Sequence, residues 1–468
     1  MEKKSNVRVR FAPSPTGKLH IGNLRAAIFN WLYARHHNGK FLLRIEDTDR
    51  ERSKQEYTDY MLESLKWMGI DYDEKPVIQS SRVDIHQEII EKLLQEGKAY
   101  KCYCTQEEIE TRNKEKVGHD DLYLGYDGYC KVLDKELEGR SYVIRFALPE
   151  GKESITFNDL IRGPITFELN QFDDFIIVRS DGSPMYNLVV VIDDEFMKIT
   201  HVIRGEDHIS NTPKQIMLYQ ACGFKVPQFA HVPLILGPSG DKLSKRDAAV
   251  SVLEYRDQGY LAEALFNYLV RLGWSHGDQE LFTVRELIQY FDLNNVGKKG
   301  AIFDIDKLLW LNGVYMREKG AEDLKKLLIE DLKFDFASIL PKFSDEHILK
   351  LLDLYKGRTR TLRELIDNLI LLHNGPDGYD QEAVKKWVDG QTKDHVQKLI
   401  ELLEKTDDFT HDALAQNIKN LCKNLGIKLV ALAQPIRISL VGSSASPGVF
   451  ELLEILGKEE SIKRLRKF

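Results

Sequence analysis

The sequence has no long apolar segment, little cysteine and no excess of basic residues. None of its apolar runs approaches the length of a membrane span, and the opening segment MEKKSNVRVRF lacks the apolar core of a secretory signal. We therefore expect a soluble, cytoplasmic protein with no membrane partner. Five cysteines in 468 residues are too few for the disulfide framework of a small secreted domain.

Strong charge and the common nucleotide-binding signatures are lacking as well. The formal net charge is −7, so a polyanionic partner would have to be held by local basic patches. Neither GxGxxG nor GxxxxGK[ST] occurs in the opening stretch, where such loops are usually found. There is no internal repeat and no low-complexity tract, so we expect the chain to fold throughout.

The pattern of apolar residues predicts an α/β half followed by an α-helical half. VRVRFA alternates as a strand does, the next segment has helical spacing with a stop near Gly39, and KFLLRIED is typical of a buried strand. Such a βαβ unit predicts a parallel sheet that binds ligands at the carboxyl ends of its strands. The later amphipathic segments that predict helices are YLAEALFNYLVRLGW, AEDLKKLLIEDL, EHILKLLDLY, TLRELIDNLILLH and HVQKLIELLEK.

Two segments carry residues suited to binding a triphosphate. In RFAPSPTGKLHIGN, a helix N-terminus would offer unpaired N–H groups, Gly22 would let a flat base approach and His20 could donate to a phosphate. In GPSGDKLSKRDAAV, Lys242 and Lys245 lie in a predicted mobile surface loop. Taken separately, a capping or packing histidine and a solvated loop are the simpler interpretations.

Together the two segments resemble the HIGH and KMSKS signatures of class I aminoacyl-tRNA synthetases. The blocks RIEDTDRER, YDEKP, SDGSPMYN, HVIRGEDHISNTPKQ and NYLVRLGW are similar to the bacterial glutamyl-tRNA synthetases in particular, and the resemblance covers essentially the whole chain. Asn23 stands where HIGH has its second His, and Arg246 where KMSKS has its last Ser. Asn23 can still donate a hydrogen bond and Arg246 adds positive charge.

The resemblance implies a Rossmann-type parallel-sheet catalytic domain with an inserted α+β acceptor-binding domain, followed by an all-α anticodon-binding C-terminal region. The boundaries that we expect are 1–98 and 192–237 for the catalytic domain, 99–191 for the acceptor-stem-binding insertion, 238–317 for the KMSKS loop and a helical connecting domain, and 318–375 and 376–468 for two anticodon-binding helical domains.

The resemblance also implies the reaction. L-Glutamate and ATP, the latter with Mg²⁺, would form glutamyl-adenylate, whose acyl group passes to the 3′-terminal ribose of tRNA(Glu), and the enzyme would act as a monomer. Whether tRNA(Gln) is also charged stays open. His20, Lys242 and Lys245 would be catalytic through positioning and cationic stabilisation. The implied ATP-binding residues are Gly17, His20, Gly22, Asn23, Lys242, Ser244, Lys245 and Arg246.

Choosing glutamate over glutamine requires a guanidinium, because its donors match a carboxylate and oppose the NH₂ of an amide. Arg10 and Arg204 lie at the ends of two predicted parallel strands. The glutamate-binding residues that the resemblance implies are Arg204 and Tyr186 for the side-chain carboxylate, Arg10 and Ser14 as assisting groups, and Glu46 for the α-ammonium. From the residues alone, Arg10 and Glu46 could instead pair with each other.

Cys102, Cys104 and Cys130 cluster in the expected insertion, where a small core would gain from structural Zn²⁺. Some members of the family carry such a site. The resemblance favours Tyr126 as the fourth ligand, whereas His119 is the more ordinary one chemically. Three reduced thiols without metal are the alternative.

The segment YKGRTRTLRELID concentrates basic residues at a predicted helix start. Such a run is usually a solvated face. The resemblance implies an anticodon-binding region here with Arg358 as a base reader, because a guanidinium both stacks on bases and donates to their edges. The basic tail SIKRLRKF is expected to touch phosphates or solvent.

Three other identities share parts of this pattern. A glutaminyl-tRNA synthetase is expected to carry β-barrel anticodon domains, and a glutamylating tRNA-modification paralogue lacks the anticodon region. A noncatalytic RNA-binding protein on the same scaffold would show eroded motifs. The helical second half, the full length and the presence of His20, Glu46, Arg204 and Lys245 favour a glutamate-charging enzyme.

Overall fold

The computed structural model describes residues 6–49, 51–117, 125–133, 137–241, 243 and 250–468. The chain divides into two compact units, which we call the catalytic unit (Met1–Leu253 and Leu265–Ile305) and the helical unit (Glu254–Ala264 and Asp306–Phe468). Among the described residues, no helix has the length and apolar character that crossing a membrane requires.

The strands lie in the first two thirds of the chain. They are β1 (Arg8–Phe11), β2 (Lys40–Ile45), β3 (Val77–Ile78), β4 (Ala99–Cys102), β5 (Val143–Phe146), β6 (Ser154–Asp159), β7 (Gly163–Glu168), β8 (Ile176–Val178), β9 (His201–Gly205), β10 (Gln228–Val232), β11 (Ile235–Leu236) and β12 (Ala301–Ile302).

The helices run through both units. They are α1 (Ile21–His36), α2 (Gln55–Trp67), α3 (Val83–Gln95), α4 (Gln106–Val117), α5 (Tyr186–Phe196), α6 (Thr212–Cys222), α7 (Val252–Asp257), α8 (Ala262–Arg271), α9 (Val284–Tyr290), α10 (Ile305–Glu318), α11 (Ala321–Glu330), α12 (Phe336–Ile339), α13 (Asp345–Lys356), α14 (Leu362–Asn374), α15 (Gln381–Trp387), α16 (Thr392–Glu404), α17 (His411–Leu425), α18 (Leu429–Val441) and α19 (Val449–Lys467).

Parallel strands form the centre of the catalytic unit. β1, β2 and β3 pair in that order, all parallel, and β9, β10 and β6 form a second parallel set that β7 extends as an antiparallel edge. The two sets adjoin, because the backbone N–H of Thr200 donates to the carbonyl oxygen of Arg8 at 2.9 Å. The predicted parallel sheet with a helical C-terminal region is confirmed.

The first βαβ unit follows the predicted order, but its glycine has another role. α1 ends at His36, and Asn38 has the positive φ, at 51°. A Cβ at Gly39 would lie 2.5 Å from the carbonyl oxygen of Val7. Gly39 therefore permits β2 to start close against β1, rather than capping the helix.

Residues from β4 onward build a smaller antiparallel sheet in the order β4, β5, β8. The β6–β7 hairpin, which also falls within 99–191, instead joins the parallel sheet through Asp159 of β6 and Phe229 of β10. Apolar residues from both sheets, such as Ile144, Phe157 and Val202, belong to one buried core. The six-part domain division stays a prediction.

The helical unit buries one continuous set of leucine, isoleucine and aromatic side chains between its amphipathic helices. Each of the five amphipathic segments contains a helix, as predicted: α8, α11, α13, α14 and α16. The expectation for the basic tail is wrong at Arg464. Its buried guanidinium donates to the carbonyl oxygens of Leu440 and Leu372 at 2.9 and 2.7 Å, so it ties α19 to its neighbours.

Candidate active site

Four charged side chains lie at the carboxyl ends of neighbouring parallel strands, where the sequence predicts a ligand site. Arg10 is on β1, Arg44 on β2, Glu46 directly follows β2, and Arg204 is on β9. All four are buried. Since buried charges require partners, their pairing determines what this strand-end site can bind.

Asp194 of α5 is the central partner of two of these arginines. Its Oδ1 accepts from Arg44 Nη1 at 2.6 Å and from Arg10 Nε at 3.1 Å. Arg44 also donates through Nη2 to Glu46 Oε1 at 3.0 Å. The alternative that Arg10 and Glu46 pair with each other is therefore wrong, because each has another partner.

The two carboxylates of this network have different electrostatic environments. Burial opposes ionisation of Asp194, but the charges of Arg10 and Arg44 outweigh it and lower its pKa below the usual value. For Glu46, burial dominates and raises the pKa in spite of Arg44. Glu46 is thus a buried carboxylate whose charge is incompletely compensated.

Arg204 is a buried cation that lacks an anionic partner in the described part of the chain. Its Nε donates to His231 Nε2 at 3.2 Å and its Nη2 to Thr212 Oγ1 at 2.9 Å. Its Nη1 is buried without a hydrogen-bond partner, and no ion pair involves Arg204 among the described residues. Burial lowers the pKa of Arg204, because a desolvated guanidinium lacks a matched anion.

Tyr186 lies at the first position of α5, where the chain enters the helix beside the strand ends. Tyr186 is 36% exposed, but desolvation of its hydroxyl and the charge of Glu46 raise the pKa of that group, while the charges of Arg204 and Arg10 act in the opposite sense. The hydroxyl oxygen lies 3.3 Å from Nδ1 of His208. Tyr186 therefore shares the electrostatic environment of the other predicted glutamate-binding residues.

Ser14 lies in the exposed turn between β1 and α1, and its carbonyl oxygen accepts from the N–H of Thr16 at 2.9 Å. The same turn is fixed to the strand ends, since the N–H of Glu46 donates to the carbonyl oxygen of Pro13 at 3.0 Å. The predicted Ser14 is thus placed at the rim and not among the buried charges.

His20 precedes the first turn of α1 with extended backbone angles (φ −110°, ψ 164°) and makes no capping hydrogen bond through its side chain. A Cβ at Gly22 would lie 3.2 Å from the His20 ring, so the ring covers the helix start. A Cβ at Gly17 would meet no atom within 4 Å, and Asn23 is exposed in the first turn. This helix end carries no acidic residue in its first turn, so no carboxylate there offsets its partial positive charge.

The predicted Lys242, Ser244, Lys245 and Arg246 lie outside the described residues. Leu243, between the first two of them, is placed, and its N–H donates to the carbonyl oxygen of Ile235 at 3.2 Å. After the segment, Ser251 forms a β-bridge with His20, and the N–H of Val252 donates to the carbonyl oxygen of Leu19 at 2.9 Å. The chain after the KLSKR segment therefore returns to the start of α1.

The three clustered cysteines come together as the sequence predicts. The sulfur atoms of Cys102, Cys104 and Cys130 all lie within 4.8 Å of one another. Tyr126 is buried beside them, and its hydroxyl oxygen accepts from the N–H of Cys130 at 2.7 Å. Arg112 donates to the sulfur of Cys104 at 3.3 Å. His119 lies outside the described residues.

Arg358 lies between α13 and α14 in the helical unit, with its side chain exposed. Its basic neighbours are partnered: Lys356 with Asp353, Arg363 with the carbonyl oxygen of Asp257. Among the described residues, the Arg358 side chain forms no hydrogen bond or ion pair. Burial and the charge of Arg358 lower the pKa of Arg437 on α18, whose Nε is buried without a partner.

The site contains residues that sequence reasoning missed: Arg44, Asp194, His231, Asp159 and Thr212. A signal existed for two of them. Arg44 interrupts the apolar run of β2, and Asp194 follows the apolar run LVVVI of α5. A charge inside a buried segment needs a partner, but the sequence does not say which one.

Comparison with known proteins identifies the family. Residues 6–310 match the family of tRNA synthetases class I (E and Q), catalytic domain, and residues 321–468 match an anticodon binding domain. The chain is 46% identical over 465 residues to the glutamate–tRNA ligase of Thermodesulfovibrio yellowstonii, covering 98% of this chain and 99% of the relative. It is 47% identical over 464 residues to that of Geobacter sulfurreducens, covering 99% and 98%.

A solved structure agrees. The glutamate tRNA ligase of Elizabethkingia meningosepticum in complex with its amino acid superposes with a TM-score of 0.85 at 35% identity, covering 99% of each chain. The match across the catalytic half and the near-full-length identity to these ligases show that the chain belongs to the glutamate–tRNA ligase family of class I aminoacyl-tRNA synthetases.

Proposed function

We propose that the strand-end site binds L-glutamate between Arg204 and Glu46, for ATP-dependent activation and transfer to tRNA(Glu). The observation that carries the assignment is the buried, unpartnered Nη1 of Arg204. A substrate side-chain carboxylate supplies the missing anion, and the α-ammonium supplies a further cation beside Glu46. One α-amino acid with an acidic side chain thus supplies both the anion that Arg204 lacks and a further cation for Glu46.

The other residues of the site have supporting roles in this proposal. Tyr186 donates to the side-chain carboxylate, while Arg10 and Ser14 assist. Arg204 favours glutamate over glutamine, because a buried guanidinium is stabilised more by a charged carboxylate than by a neutral amide.

For ATP we propose the space beside the N-terminus of α1. The N–H groups of the first turn and His20 contact the phosphates, and Gly17, Gly22 and Asn23 line the approach. Lys242 and Lys245, supported by Ser244 and Arg246, contribute from the segment that returns to His20 at Ser251. The α-carboxylate of glutamate attacks the α-phosphorus of ATP and diphosphate leaves, so these cations stabilise charge that develops on the phosphate oxygens. Mg²⁺ accompanies the ATP phosphates.

The helical unit supplies the proposed tRNA contacts. The Arg358 side chain has no hydrogen-bond or ion-pair partner in the described part of the chain, and its charge acts on nearby Arg437. We propose that these two guanidinium groups bind an unstacked anticodon base. We infer that the enzyme acts as a monomer on tRNA(Glu). Comparing purified tRNA(Glu) and tRNA(Gln) as substrates decides whether both are charged.

We further propose that Cys102, Cys104 and Cys130 hold structural Zn²⁺, with Tyr126 as the fourth ligand. Three sulfur atoms within 4.8 Å of one another form a donor set that suits tetrahedral zinc. Arg112 and Arg145 lie beside the cluster and offset the negative charge of bound thiolates. Such a site would stabilise the small antiparallel sheet.

Glutamate-dependent pyrophosphate exchange with tRNA(Glu) present tests the proposal. Arg204→Ala is expected to lower kcat/KM for glutamate by about three orders of magnitude, because the carboxylate loses its matched cation, while the KM for ATP changes little. Arg271→Ala is the matched control, since the Arg271 guanidinium pairs with Glu280. Near-normal glutamate kinetics in Arg204→Ala would overturn the assignment.

A further inference from the structure

Arg204 is held by a residue on the neighbouring strand. His231 of β10 and Arg204 of β9 are paired in the register of the parallel sheet, so their side chains lie on the same face. Arg204 Nε lies 3.2 Å from His231 Nε2, and Thr212 Oγ1 lies 3.1 Å from the same nitrogen. The guanidinium orientation therefore depends on the state of one imidazole.

Asp159 of β6 holds that imidazole from its other side. Its Oδ2 lies 2.7 Å from His231 Nδ1, and both side chains are fully buried. Its Oδ1 accepts from the backbone N–H groups of Ile161 and Arg162, each at 2.9 Å. The carboxylate is thus locked by its own turn, with one oxygen committed to the backbone and the other to His231.

This arrangement favours one protonation state, the neutral ring with its proton on Nδ1. Arg204 carries only donors, so His231 Nε2 must be the acceptor, and the carboxylate requires a proton on Nδ1. A doubly protonated imidazole would place N–H against N–H at Arg204. Burial lowers the pKa of His231; the hydrogen bond with Asp159 opposes this and the charge of Arg204 adds to it, and the net lowering favours the neutral ring.

We propose that Asp159 and His231 are positioning residues for recognition of the substrate side chain: they hold the Arg204 guanidinium so that Nη1 is left for the glutamate carboxylate. Nε is engaged by His231 and Nη2 by Thr212, which leaves Nη1 as the unpartnered nitrogen. The inference rests on the proposed role of Arg204. It adds that specificity for the glutamate side chain depends on the tautomer of His231, which Asp159 of β6 sets.

Asp159→Asn tests this without changing the shape of the side chain. The backbone N–H groups of Ile161 and Arg162 continue to donate to the amide oxygen of the new side chain. Its NH₂ group therefore takes the place of Oδ2 and faces His231 Nδ1. His231 must then carry its proton on Nε2, which opposes Arg204 Nε. We expect the KM for glutamate to rise about tenfold or more in tRNA-dependent pyrophosphate exchange, while the KM for ATP and kcat stay within about twofold.

Two comparisons separate positioning from a general structural role. Asp174→Asn is the control, because Asp174 is a buried carboxylate that accepts from Tyr100 and Leu148 and does not contact Arg204. It should leave the KM for glutamate unchanged. In an Arg204→Ala background, measured at raised enzyme concentration, Asp159→Asn should add no further loss if it acts through the guanidinium.

The outcomes are distinguishable. An unchanged KM for glutamate in Asp159→Asn, with Arg204→Ala strongly impaired, overturns the positioning role alone. Equal losses from Asp159→Asn with and without Arg204 also overturn it, because the effect would then bypass the guanidinium. Near-normal kinetics in Arg204→Ala overturn the proposed function itself. Thermal unfolding of each variant shows whether the catalytic unit remains folded.

Discussion

The charged side chains of the strand-end site have little contact with water, so each depends on a specific neighbour. Arg10 and Arg44 share Asp194, Arg44 reaches Glu46, and Arg204 relies on neutral acceptors. Burial makes such groups costly when a partner is missing and strongly oriented when it is present. Arg204 and Glu46 are the two whose compensation stays incomplete.

Asp194→Asn is predicted to destabilise the catalytic unit by about 3 kcal/mol, because the guanidinium groups of Arg10 and Arg44 lose their shared buried anion. Urea unfolding followed by circular dichroism measures the loss. Asp71→Asn is the control: Asp71 also pairs with an arginine, Arg35, but its side chain is 75% exposed, so about 1 kcal/mol or less is expected. A loss for Asp194→Asn no larger than the control's would contradict the prediction.

The strand-end positions of Arg10 and Arg204 could be predicted from the local pattern, whereas the role of Glu46 was implied by the family resemblance. Asp194 could not be assigned as a partner, since it lies 184 residues from Arg10 along the chain. His231 and Asp159 were missed for the same reason. Their roles arise from strand register, which local periodicity does not specify.

At the scale of helices and strands, local patterns predicted the first βαβ unit and the helices of the five later amphipathic segments. Period-two and helical spacing are short-range properties, so β1, α1, β2 and the amphipathic helices of the helical unit follow from them. The β6–β7 hairpin was harder to place, because its alternating pattern fits either sheet. Pairing of β6 with β10 places the hairpin in the parallel sheet. The same pairing brings Asp159 of β6 to the strand-end site.

The zinc proposal belongs to this scale, because β4 and the turn containing Cys130 bring its ligands together. Protein purified without chelator should contain about one equivalent of zinc by elemental analysis, and Cys130→Ser should lose it. Cys222→Ser is the matched control, since Cys222 is buried in α6 outside the cluster. Less than about a tenth of an equivalent in the unaltered protein would contradict the proposal.

For the molecule as a whole, a net charge of −7 means that tRNA must be held by a few exposed cations. Several basic residues that the sequence offered are engaged within the protein: Arg464 with backbone carbonyl oxygens, Arg363 with Asp257 and Arg466 with Glu404. Arg358 and Arg437 stand out because the charge of Arg358 acts on Arg437, and neither side chain forms an ion pair in the described part of the chain, although Glu451 partly offsets the charge at Arg437.

Binding of tRNA(Glu) is predicted to weaken about tenfold or more between about 0.05 and 0.2 M salt, because phosphate contacts release counterions. Filter binding across that range gives the slope. Arg358→Ala should weaken binding while leaving the slope nearly unchanged if it reads a base, whereas loss of a phosphate contact would reduce it. A flat salt response in the unaltered enzyme would contradict the prediction.

The sequence by itself determined the first βαβ unit, the helical character of the second half and the family, because periodicity, short motifs and their order are local properties of the chain. It also placed chemically suitable residues at strand ends. Only the tertiary structure decided which charges meet: that Asp194 serves Arg10 and Arg44, and that Asp159 reaches Arg204 through His231. The physical reason is that pairing in a buried site depends on register and packing between distant segments, and no local pattern encodes those distances.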